Sequence, residues 1–129
     1  MTDLEKVLNG PYWEWLPGCV LTSGTVVTGV KRLCSSRFVE TSEWDADAKE
    51  YEWAWEESAW KKFKPDIYEP ATAGIMLHLA RKRWGDDFQP IRVVVSGGPD
   101  FFVAYKGGPT FKHEEDLLWD ALIPEEPSP

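Results

Sequence analysis

Histidine, cysteine and positive charge are all in short supply in this sequence. Two histidines, His78 and His113, and two cysteines, Cys19 and Cys34, are spread over 129 residues. A zinc site takes several Cys, His or carboxylate ligands at characteristic spacings. Neither histidine stands in such a spacing with either cysteine. No metal centre and no cofactor site is therefore expected. A nucleophilic triad needs a nucleophile, a base and an orienting group, and these four residues could supply one only by chance convergence in the fold. Gly97-Gly98 and Gly107-Gly108 lack the lysine and helix start of a phosphate loop, so they read as turn glycines. Adjacent acids such as Asp86-Asp87 and Glu56-Glu57 are too ordinary to mark a hydrolytic pair. No catalytic residue is assigned, and the chain is not expected to be an enzyme.

Lys and Arg number 14 against 22 Asp and Glu, for a net charge of −8. Such a chain repels duplex nucleic acid unless a local basic face overrides the total. Lys61, Lys62 and Lys64, then Arg81, Lys82 and Arg83, cluster without any nucleic-acid motif and read as solvated faces. No apolar run is long enough to cross a bilayer. Met1–Asn9 has neither the basic start nor the apolar stretch of a signal peptide. These features imply a cytoplasmic protein with no membrane partner and with both thiols reduced, in or near the core.

Large rings are what the chain has in plenty: eight Trp, six Phe and four Tyr, within a hydrophobic share of 43%. That supplies a real core and suits one domain, over 1–123, with 124–129 ("PEEPSP") as a disordered tail. Met1–Asn9 reads as a short helix stopped by Gly10-Pro11. Pro17-Gly18 turns the chain, and Ser23-Gly24 turns it again between β-branched runs. Residues 37–44 alternate like a strand. Further on, Pro70 opens a helix with Ala73, Met76, Leu77, Ala80 and Trp84 at helical spacing, widened by Ile75 and Leu79, and Gly85 ends it. Arg83 falls inside that apolar arc, where it would snorkel or pair with a carboxylate. Residues 91–105 form a hairpin around Gly97-Gly98-Pro99-Asp100. Thr110 is the expected N-cap of a last helix, with Leu117, Leu118, Ala121 and Leu122 as its buried stripe.

The stretch "DADAKEYEWAWEESAWKKF", 45–63, is ambiguous. Its Ala, Glu and Lys favour a helix, and Ser42 with Asp45 resembles a capping box. Yet Tyr51, Trp53 and Trp55 alternate with Glu50, Glu52, Ala54 and Glu56, a period of two. On a helix the three rings would spread over about 200°; on a strand they share one face. We read 49–56 as a strand paired with 37–44 around "DADA", with a helical turn over Glu57–Phe63. A continuous helix is the alternative. The strand reading turns the rings inward and the carboxylates to water. The fold class is then α+β: an N-terminal antiparallel meander, curled like a small barrel, followed by a helix–hairpin–helix unit packed on the sheet.

Pro17-Gly18, "PDIYEPAT" at 65–72 and Trp84-Gly85-Asp86, followed by the hairpin and the acidic last helix, resemble the frame of small uncharacterised proteins encoded by phages and prophages. In element order the chain is similar to the helix–sheet–helix sandwich domain of such proteins. The resemblance covers about half the chain, mostly its C-terminal part. It implies a mobile-element origin and life in the cytoplasm of an infected or lysogenic bacterium, and it carries no activity or site residues with it.

The acidic surplus lies between Glu40 and Glu57. Glu40, Glu43, Asp45, Asp47, Glu50, Glu52, Glu56 and Glu57 form the expected interaction surface, suited to a host protein with a basic face, for instance a defence or nucleic-acid-handling complex that it would inhibit. The alternative is a small-ligand binder, with tryptophans lining a pocket for a nucleotide-like molecule. A homodimer closed through the aromatic excess is compatible with either.

Overall fold

Residues 45–63 are not one helix. The structure, a computed structural model, describes residues 2–124, and it divides this stretch between two strands, a 3-10 turn at Glu56–Ser58 and a short helix. The chain opens with α1 (Asp3–Leu8), held by a capping box between Thr2 and Glu5. Strands β1 (Val27–Leu33), β2 (Ser36–Asp45) and β3 (Glu50–Trp55) follow as an antiparallel meander in the order β1-β2-β3. Then come α2 (Ala59–Lys62), α3 (Pro70–Trp84), the hairpin of β4 (Ile91–Val93) and β5 (Phe101–Val103), and α4 (Glu114–Asp120). The fold is α+β, with a second, two-stranded sheet in the hairpin. The meander stays open, with β1 and β3 as its edges.

Turn chemistry sets most of these boundaries. Gly18, Gly24 and Gly85 all take positive φ, the region that glycine enters without a Cβ penalty. Gly85 ends α3, with its N–H on Arg81 O. The last helix starts later than Thr110 suggests. Phe111 exchanges two backbone hydrogen bonds with Phe102, at 2.8 and 2.9 Å, so residues before His113 are held extended beside β5 and helix begins only at Glu114.

Within β2, three residues (Thr41–Glu43) face the single Glu52 of β3, because the register jumps from Glu40↔Trp53 to Trp44↔Tyr51. The buried Thr41 hydroxyl donates to Glu52 O at 3.2 Å and fixes this bulge. An excess of two residues preserves parity, so Trp44 stays on the same sheet face as Glu40 and Trp53.

The core corrects the expected orientation of β3. Val39 and Thr41 are fully buried and Ala54, opposite Val39, packs against the core, whereas Trp53 and Trp55 occupy the other face and are only half-buried. Core space is taken by other rings. Trp119, Trp13, Trp15 and Phe63 form a chain of edge-to-face contacts at 5.8, 5.5 and 6.1 Å. With these indoles in place the sheet approaches through its small and β-branched residues, and its own rings turn away.

On α3 the buried residues are Thr72, Met76, Leu79 and Ala80; the last three belong to the expected apolar arc, and Thr72 joins them. Trp84 is 51% exposed. Arg83 lies within the arc as expected. Its Nη1 donates to Ala121 O and Ile123 O, clamping the end of α4, and its guanidinium stacks over Tyr12. Cys19 is fully buried; Cys34, expected near the core, is exposed in the two-residue β1–β2 turn at φ 57°. The expected tail falls on 125–129, outside the described residues, apart from Pro124.

Thr72 connects the two halves. Its hydroxyl accepts from Val20 N–H at 2.9 Å and donates to Val20 C=O at 3.0 Å. Thr72→Val keeps the shape but leaves the Val20 N–H unpaired, while Val20 C=O keeps the Asp66 N–H at 2.8 Å, at a cost of about 1–3 kcal/mol; Thr72→Ser should recover most of it in urea unfolding. Burial pushes the Cys19 thiol up from 9.0 to about 11, against a smaller opposing effect of the Thr72 hydroxyl. The stabilisation tied to the neutral thiol is whole below pH 9 and lost as pH rises towards 11. Melting temperatures taken across that range should fall more steeply for the native chain than for Cys19→Ala.

Candidate functional site: an aromatic face on the acidic hairpin

The β2–β3 hairpin carries five rings on the face turned from the core. At its base Phe38, Trp53 and Trp55 pack edge to face, with centroids 5.5, 6.2 and 5.0 Å apart. Towards the tip Trp44 and Tyr51 meet at 5.0 Å, and they are 54% and 46% exposed. Cross-strand pairing explains both groups: Phe38 lies opposite Trp55, and Trp44 opposite Tyr51, and aromatic pairs across a ladder stabilise one another.

The eight acidic residues do not form one patch. Glu43, Asp45, Asp47 and Glu50 gather at the hairpin tip beside Trp44 and Tyr51, all exposed. Two of these four also have structural work. Asp45 Oδ1 accepts from the N–H groups of Asp47 and Ala48 at 3.0 and 3.2 Å, which closes the turn. Glu50 Oε1 accepts from the Trp53 indole N–H at 2.9 Å. Glu40 shares the aromatic face but is ion-paired with Lys31 at 2.7 Å. Glu52 lies on the Ala54 side of β3 and is half-buried. Glu56 pairs with Arg37 at 3.3 Å, and with Glu57 it lines a separate cleft.

That cleft, of about 610 Å³, lies between the Trp13–Pro17 segment and the base of the sheet. Trp13, Trp15 and Trp60 contribute to its wall, with Glu14 and Arg37 among the polar groups. Trp13 Nε1 is buried and lacks a hydrogen-bond partner among the described residues. A second cleft, of about 460 Å³, has Trp84, Phe88, Tyr105 and Phe111 around it. His78 and His113 are both exposed, and among the described residues no three His, Cys, Asp or Glu side chains converge as metal ligands.

Sequence reasoning turned the rings of this hairpin inward, with an exposed aromatic–acidic surface as the alternative; the structure puts them on the outer face. The missed signal was Ala54. A small residue between two tryptophans on a strand marks the side on which a neighbour can approach. No family model, curated protein or solved structure matches this chain.

The two classes of tryptophan should separate by mutation. Trp15→Ala in the core should cost about 3–5 kcal/mol, whereas Trp44→Ala at the hairpin tip should cost under about 1 kcal/mol; chemical denaturation of both variants checks this.

Proposed function

We propose that the chain is a non-enzymatic binding protein that captures a basic protein segment on the β2–β3 hairpin. One observation carries this reading: Trp44 and Tyr51 meet edge to face, about half exposed, at a hairpin tip that also carries the exposed Glu43, Asp45, Asp47 and Glu50. An arginine guanidinium can lie on an indole face while its N–H groups reach a neighbouring carboxylate. The net charge of −8 favours encounter with a basic surface. The rings then supply contact area that charge alone does not. The phage-like frame of the C-terminal half supplies a setting: a bacterial host protein whose basic surface normally handles nucleic acid, occupied in its place by this acidic face.

A second reading rests on the cleft beside Trp13, Trp15 and Trp60, where indole edges could hold a planar small molecule such as a nucleotide.

Fluorescence anisotropy with a labelled arginine-rich peptide tests the first reading. The double variant Trp44→Ala/Tyr51→Ala should bind about tenfold more weakly, as expected from losing two exposed cation–π contacts. Glu43→Gln/Asp47→Asn should weaken binding and flatten its salt dependence. Equal affinity for all three proteins would refute the hairpin as the binding site. A thermal shift with nucleotides, without any peptide binding, would move the assignment to the cleft.

A further inference from the structure

The 610 Å³ cleft has in its wall a polar group that the fold leaves unpaired. Trp13 is 7% exposed, and its Nε1 is enclosed by protein yet bonds to nothing among the described residues. Buried donors are ordinarily paired, because burial strips them of water. Other indoles of this chain follow that rule. Trp84 Nε1 donates to Ala121 O and Trp53 Nε1 to Glu50 Oε1, both at 2.9 Å. Among the described residues Trp13 Nε1 is the one buried side-chain nitrogen or oxygen that does not. It has already given up water, so an acceptor that reaches it displaces no other bond.

The charged groups around this cleft narrow what could bring that acceptor. Glu14, Glu56 and Glu57 line it against the single Arg37. Glu56 takes Arg37 at 3.3 Å and Glu14 takes Lys82 at 2.5 Å. Glu57 is exposed and has no ion pair or side-chain hydrogen bond among the described residues. Three carboxylates against one guanidinium disfavour a phosphate in this space. They suit a molecule that offers N–H donors.

We infer that the cleft takes an uncharged planar heterocycle with a carbonyl oxygen beside N–H donors, the pattern of the guanine base. The carbonyl accepts from Trp13 Nε1, the N–H groups donate to the Glu57 carboxylate, and the ring packs on the half-buried Trp60. Adenine carries a donor where guanine carries its carbonyl. It would leave the indole N–H unpaired and turn an acceptor towards a carboxylate. Reaching Nε1 takes a shift of its cover. Residues 13–16 lie outside every helix, strand and bridge, so that shift breaks no ladder hydrogen bond. The inference deepens the second reading given above and rests on it: the cleft must first bind a planar molecule at all.

Titration calorimetry of the full chain with guanosine, adenosine and guanosine monophosphate tests it. Guanosine should bind at least about tenfold more tightly than either of the others. Trp13→Phe keeps a ring but removes the N–H, and Glu57→Gln removes the charged acceptor. Each should weaken guanosine about tenfold and adenosine far less. Glu57 is on the surface, so its variant keeps the test decisive if Trp13→Phe does not fold. Equal affinity for guanosine and adenosine, a monophosphate held as tightly as the nucleoside, or guanosine binding unmoved by Glu57→Gln would each overturn the guanine-like assignment and leave the cleft a site for planar molecules. No binding of any of the three would refute the cleft reading itself, and this inference with it.

Discussion

The paired hydrogen bonds between the Thr72 hydroxyl and the backbone of Val20 hold this fold in its arrangement. The segment from Gly10 to Val26 is almost devoid of regular structure, yet it delivers Trp13, Trp15, Cys19 and Leu21 to the core. Irregular backbone inside a protein must find partners for its polar groups. Val20 N–H finds its partner in a side chain from the first turn of α3, and Val20 C=O accepts from that same hydroxyl and from Asp66 N–H. Once Val20 is fixed, Leu21 bridges to Pro65 and Val27 donates to Cys19 O, so the loop, the sheet and the long helix share one set of coordinates. The Trp119–Trp13–Trp15–Phe63 chain is the packing counterpart of that polar tie: it spans from α4 to the residue after α2. The tie sets where the loop enters, and the rings fill what it encloses.

Everything about the exposed hairpin follows from that filled core. Four large rings arrive from outside the sheet, so the sheet contributes Val27, Val39, Thr41 and Ala54. The alternation Tyr51-Glu52-Trp53-Ala54-Trp55 identified the strand correctly, because a period of two is a property of the chain itself. It could not identify the inward side, because that depends on volume supplied from residues 13, 15 and 119. Hydrophobicity alone favours indoles over an alanine for the interior, and here packing reverses the preference. The same reasoning covers α3. Its limits were legible in Pro70 and Gly85, and Met76, Leu79 and Ala80 of its buried side in their spacing; Thr72, a polar residue, is what a reading by apolar spacing passes over. The start of α4 was misplaced for a related reason: a backbone bridge between Phe102 and Phe111, nine residues apart, outweighs the local capping preference of Thr110.

Of the eight acidic residues, their concentration on one hairpin was legible and their division was not. Ion pairs to Lys31 and Arg37 remove Glu40 and Glu56 from any common field, and both partners come from other parts of the meander. Two of the remaining carboxylates serve the hairpin itself, Asp45 by closing the turn and Glu50 by accepting the Trp53 indole. Free surface charge is thus scarcer than composition suggests, and much of it stands at the tip.

Acidic side chains on an outer strand also have a plain explanation, since charge on an edge deters pairing with other chains. Edge strand β3 carries Glu50 and Glu52, and edge strand β1 carries Lys31 and Arg32. Charge alone therefore does not distinguish a binding face from a guarded one. The rings do. A guarded edge has no need of Trp44 and Tyr51 half in water, where each leaves apolar area unburied at a cost of about 25 cal/mol per Å². Their mutual contact recovers part of that cost; a partner lying across them would recover more. The β4 edge is the converse case, with β-branched residues in the open and its single charge already paired to Asp100. One sheet thus combines exposed rings with acid at its hairpin tip, and the other leaves β-branched residues in the open beside a paired charge.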